Sequence, residues 1–327
     1  MAMGDTSRAW LRRPSLAVAR LRGRGLLVLS ARDLLRAAGE ENALLVALVA
    51  PSPAAVHGFA RAARDAAAPL LLARPSGAAD EKGPQEARDD AAFVEAAFDA
   101  AAEVHLTGPL ALLKEPPRAG SATPERERVQ RELETGFTGV ALATEPDSAP
   151  AARDAALAAA QACQRELGLE VVPLGGSIEL GVELVRQLAS RGAAPSALRL
   201  PDEDAAEAAR PHVGGVALSV ASEIAPRELV GRGIRQLVAS GPFLRALQRA
   251  APREVLEQLE SWADEHGATI EQAAARHQRM LRDLPQPIQL KLEALCCFEA
   301  QELYARAGVR DSAAPVAARV GNLAKDE

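Results

Sequence analysis

Five histidines come first among the residues that could do chemistry: His57, His105, His212, His266 and His277. A metal-assisted reaction on an α/β scaffold takes its imidazoles from loops at the C-terminal ends of strands. His57 falls inside a helical stretch, His212 precedes a strand, and His266 and His277 lie in a helical tail. Only His105, in VHLTGP, closes an apolar run that reads as a strand. Thr107 and Gly108 follow it. A threonine hydroxyl is no base near neutral pH, and glycine offers no side-chain donor. No metal site is therefore expected. No cofactor is expected either, because no phosphate-loop, dinucleotide or nucleophile-elbow pattern occurs.

Other groups at the same ends of strands have two readings. Glu145, Asp147, Asp202 and Glu223 could bind a metal or shuttle protons if paired. The favoured reading is loop solvation and helix capping, since Asp202 opens a helix and Glu145 precedes Pro146. The lysines are Lys82, Lys114, Lys291 and Lys325. A Schiff-base lysine should point into a barrel from a strand. Lys114 falls in a stretch that reads as loop, and so as a solvated lysine.

The elements that must position these groups follow from pattern. The chain has 327 residues, 48% of them hydrophobic and 25% charged, enough for one large packed domain. Short apolar runs at 43–49, 69–73, 103–106, 138–143, 169–174, 197–200, 214–220 and 234–239 alternate with helical patterns. The unit Thr138–Gly176 reads as strand, Ala-rich helix (149–167), strand, with Gly168 as the helix stop. Such alternation predicts an α/β fold, a TIM (β/α)8 barrel over residues 29–241. Ser30, with Asp33 three residues on, caps a helix that opens the barrel. Residues 242–312 read as additional C-terminal helices and 313–327 as a tail. Cys296 and Cys297 fall in one of those helices and read as core.

Residues 1–28 are basic, an extension lying on the barrel or hanging loose, with a targeting peptide as the other reading. The net charge of −6 argues against nucleic acid, and no apolar run reaches the ~18 residues of a membrane span. The 3 cysteines form no disulfide framework or zinc knuckle, which points to a reducing, cytoplasmic setting.

Several stretches resemble the class II fructose- and tagatose-bisphosphate aldolases. GFTGVALAT (136–144) is similar to that family's fourth strand, and LEVVPLGG (169–176) to its next. SARDLLRAAGE (30–40) resembles its opening helix. Phe243–Leu247 and Leu290–Gly308 resemble helices that follow its eighth strand. The resemblance implies a barrel whose mouth holds a divalent metal, a base and a phosphate.

It also implies where those groups would stand. VHLTGP matches a family motif in which an aspartate acid/base and a metal-binding histidine take the places of Thr107 and Gly108. The phosphate loop corresponds to Ser222-Glu223, where a carboxylate would repel phosphate. Ser240 and Gly241 stand after the eighth strand, where they would contact an anion. Candidate site residues are thus His105, Thr107, Glu145 and Glu223, with Ser222, Ser240 and Gly241 for phosphate.

The expectation is a catalytically silent, aldolase-like barrel. It would act by binding a small phosphorylated ligand or as an assembly subunit, in a homo-oligomer or with an active paralogue. The alternative is a lyase or isomerase of altered mechanism on small sugar phosphates.

Overall fold

The computed structural model describes residues 6–76, 84–116, 125–144, 168–173, 177–192, 194–221 and 227–323. Eight parallel strands close into one barrel in sequence order. They are β1 (Leu45–Val49), β2 (Leu70–Arg74), β3 (Leu110–Lys114), β4 (Gly139–Thr144), β5 (Gly168–Pro173), β6 (Ala197–Leu200), β7 (Ala217–Ala221) and β8 (Ile234–Ala239). Helices α1 (Ser15–Arg20) and α2 (Ala31–Glu40) precede β1. Around the barrel follow α3 (Pro53–Asp65), α4 (Pro84–Glu103), α5 (Glu125–Thr135), α6 (Ile178–Ser190) and α7 (Glu203–Ala209). After β8 come α8 (Gly241–Ala250), α9 (Arg253–Glu265), α10 (Ile270–Arg276), α11 (Gln278–Arg282), α12 (Gln286–Ala307) and α13 (Ala313–Leu323). The expected helix at 149–167 lies outside the described residues, and Gly168 opens β5.

The TIM barrel stands as expected, with one correction. The third strand is Leu110–Lys114, not 103–106. Val104-His105-Leu106 ends α4. Leu106 N–H reaches back to the Ala101 carbonyl at 2.9 Å and His105 N–H to the Ala102 carbonyl at 3.0 Å. His105 takes the left-handed conformation, φ 54°, that this double-bonded helix stop requires. The apolar run was real, but it served a helix end.

Strand alternation sorts the core into two layers. Leu70, Leu72, Leu110, Leu112, Val140 and Leu142 face outward onto the helices. Leu45, Ala47, Leu71, Ala73, Ala111, Leu113, Ala197 and Val238 face inward. Barrel interiors are usually filled by bulky branched residues, and four of these are alanines. The shortfall is met from below, because the interior is continuous with Leu27, Leu29, Leu34 and Leu35 of the N-terminal segment. Leu29 N–H bonds the Leu110 carbonyl at 2.9 Å and Ala31 N–H the Thr138 carbonyl at 2.9 Å. Ser30 caps α2 through Asp33 N–H at 3.1 Å.

The start of α2 therefore plugs the floor, at the N-terminal ends of the strands. Gly139 and Gly168 make room for it: a Cβ on either would stand 2.9 or 2.6 Å from the Ala31 Cβ. The stretch read as a tail is largely α13, which packs on this floor beside the N-terminal segment. The basic N-terminal residues from Thr6 onward lie on the barrel. Among the described residues no helix is long and apolar enough to cross a membrane.

Candidate functional site at the barrel mouth

The C-terminal ends of the strands surround a pocket of about 340 Å³. Val49, Pro75, Pro116 and Val238 give it apolar walls. Ser76, Glu115, Arg199 and Ser240 bring polar groups, and Thr269, Glu271 and Gln272 reach in from the C-terminal helices.

Arg199 lines it from β6. It lies two residues beyond inward-facing Ala197, so β6 directs it into the barrel. Its guanidinium bonds Glu115 through both terminal nitrogens, at 2.5 and 3.0 Å, and also bonds Glu170. Burial alone would make this cation easier to discharge. The flanking carboxylates of Glu115 and Glu170 reverse that and hold it firmly charged. Beneath the trio three buried atoms lack partners: Glu170 Oε1, Arg199 Nε and Ser219 Oγ.

The lid over one side is α10. Thr269 accepts from Gln272 N–H at 3.3 Å, and Gln272 Oε1 accepts from Thr269 N–H at 3.0 Å. This reciprocal cap fixes the start of the helix. It leaves Glu271, only 9% exposed, facing the pocket. No hydrogen bond or ion pair holds Glu271 among the described residues.

The structure brings few of the sequence candidates to this place. Ser240 lines the mouth, and Gly241 is buried beside it as the first residue of α8. His105 and Thr107 do not belong to the mouth. Both are exposed in the turn before β3, on the floor side, and Gly108 packs there against Ala313. Glu145, Asp147, Ser222 and Glu223 lie outside the described residues. Asp202 caps α7 by accepting from Ala205 N–H at 2.8 Å.

Lys114 is not a solvated loop residue. It ends β3 with its side chain 1% exposed, on the outward face, bonded to Asp90 at 2.7 and 2.9 Å. Arg74 joins Asp90 at 2.6 Å. Burial would raise the Asp90 carboxyl, but Lys114 and Arg74 overturn that and hold it low. Beside this cluster Arg128 bonds Glu132 at 2.7 and 3.0 Å.

Sequence reasoning missed Glu115, Glu170, Arg199 and Glu271. Two of them carried a signal: Glu170 and Arg199 are charges inside otherwise apolar strands, LEVV and ALRL. A charge there must face a polar interior or find a partner.

No protein-family model and no curated protein matches this sequence. Solved structures do. The YdjI aldolase of Escherichia coli K12 superposes with a TM-score of 0.60 at 12% identity, covering 88% of this chain and 99% of its own. Fructose-bisphosphate aldolase of Campylobacter jejuni gives 0.60 at 10% identity, covering 87% and 96%. The fold is that of the class II aldolases.

The class II aldolase resemblance implies a divalent metal at the mouth. The side chains gathered there do not fit one. No histidine lies among the pocket's described residues, and Glu115 and Glu170 are both spent on Arg199. A guanidinium between these two carboxylates would repel a dication from them. Among the described residues no three His, Cys, Asp or Glu side chains converge.

Proposed function

We propose that this chain is a non-catalytic barrel on the aldolase fold, working by binding a small ligand at its mouth and by assembly with other subunits. One observation carries the reading: Arg199, which lines the mouth, sits between Glu115 and Glu170. Aldol cleavage needs a Lewis acid on the carbonyl and a base at the hydroxyl. Here a fixed cation takes the place of one and neutralises candidates for the other. A second reading, a lyase or isomerase of altered mechanism on small sugar phosphates, is favoured by Glu271, a carboxylate lining the pocket with no partner among the described residues.

A coupled assay on fructose and tagatose bisphosphate, with Zn²⁺ or Co²⁺ added, separates these. The expected result is no cleavage above background. Metal-dependent turnover lost in Glu115→Gln would overturn the non-catalytic reading, and turnover lost in Glu271→Gln would install the second. Light scattering on the same preparation tests assembly. Half-exposed Leu290 and Phe298 on α12 are apolar groups a neighbour would cover, and a strict monomer would confine the proposal to binding.

A further inference from the structure

We infer that the mouth pocket binds a small organic cation, its ammonium on Glu271 and its carbon chain along Val49, Pro75, Pro116 and Val238. The inference deepens the binding reading above and rests on it for the place of the site. Three observations carry it. First, Glu271 is nine-tenths buried, faces the pocket and has no partner among the described residues. An entering ammonium would give this carboxylate the counter-charge it lacks among the described residues.

Second, the charges of the described residues around the pocket do not cancel. Among them Arg199 is the cation, and both its terminal nitrogens are engaged by Glu115 and Glu170. Glu271 adds a further negative group. A phosphate entering this field meets carboxylates before any unengaged donor of Arg199, whose remaining Nε is buried. Third, the walls are apolar on the strand side. An alkyl chain gains there what a bare metal ion or a fully hydroxylated sugar cannot. A dication is further disfavoured because no three ligating side chains converge among the described residues.

Calorimetric titration with putrescine tests this, with butanediol as its uncharged counterpart and fructose bisphosphate as an anion. Putrescine should bind, and butanediol and the bisphosphate should not. Glu271→Gln, checked for an unchanged circular dichroism spectrum, should weaken putrescine at least about tenfold, the loss of one partly screened ion pair. If the variant fails to fold, the wild type still decides. Raising NaCl from roughly 20 to roughly 500 mM should weaken putrescine severalfold, because its attraction is to fixed charge. No putrescine binding, equal binding of butanediol, salt-insensitive binding or full affinity in Glu271→Gln would each overturn the inference. Those outcomes leave the cleavage assay untouched. Conversely, turnover in that assay would remove the non-catalytic reading without abolishing putrescine binding.

Discussion

Two settings of buried charged side chains in this protein differ in how they titrate. Inside the barrel, Arg199 is bracketed by two carboxylates and stays charged. Outside it, between α5 and the sheet, Glu132 is fully buried with Arg128 as its bonded partner. Burial dominates there and lifts the Glu132 carboxyl from 4.5 to about 7.

Its linkage has a definite sign. A carboxyl raised on folding takes up a proton as the chain folds. The stability this gives is full below about pH 4.5 and is lost as pH rises through about 7. Glu132→Gln is neutral throughout and lacks this dependence. In urea unfolding, the advantage of wild type over the variant should therefore shrink between about pH 5 and about pH 8, by roughly 1–3 kcal/mol. A constant or widening advantage would show that Glu132 is ionised throughout. Asp90 acts in the opposite sense: held low by Lys114 and Arg74, it supports the fold above the ordinary carboxylate range and fails on acidification. None of this cluster was legible from residue type, because Lys114, Asp90 and Glu132 become neighbours only when α4 and α5 close over the sheet.

At the scale of elements, the most demanding contact is between α3 and α12. Gly58 lies where they cross. A Cβ there would come within 2.5 Å of the Glu293 carbonyl and 2.7 Å of the Cys296 Cβ. Backbone is among what it would meet, so side-chain adjustment alone cannot relieve the clash. In an open helix Gly→Ala gains about 1 kcal/mol. Here Gly58→Ala should instead lose about 1–3 kcal/mol by overpacking, read from the denaturation midpoint. A stabilised variant would mean that the two helices can part.

Strands and helices were legible where a short apolar run and a cap stood alone. Ser30 with Asp33, and ALRL before Asp202, fall where expected. The third strand was not. Two apolar runs lie a few residues apart, VHL and LALL, and composition cannot rank them. What ranks them is the left-handed turn at His105, which sequence signals through glycine or asparagine and which here is a histidine. Misplacing that strand assigned His105 and Thr107 to the mouth, whereas they stand at the floor end of the barrel. The Lys114 reading failed for the same reason.

For the molecule as a whole, the floor is built from segments far apart in sequence. Val316, Ala317 and Val320 of α13 are buried in the same cluster as Leu27, Leu29 and Leu34. Fully burying each of the valines is worth about 1.5–3 kcal/mol. A chain truncated before Ala313 should lose roughly 5 kcal/mol, lowering its thermal midpoint by roughly 10 °C or more. An unchanged midpoint in calorimetry would make α13 an ornament on a complete barrel. The (β/α)8 architecture itself was legible from strand and helix periodicity. The seal was not, because nothing in residues 313–323 marks what they cover.

That seal sets a timetable. Gly321 stands against Arg8 and Ala9, so close that an added Cβ would lie 3.1 Å from each. On a ribosome making ~5–20 residues per second, Ala9 emerges roughly 15–60 s before its neighbour exists. Through that interval the leucines under the barrel have no cover, and a holdase chaperone has a sticky target that vanishes once synthesis passes α13. The nascent chain would be most vulnerable to aggregation late in translation, when the strands have already closed and only the underside is bare.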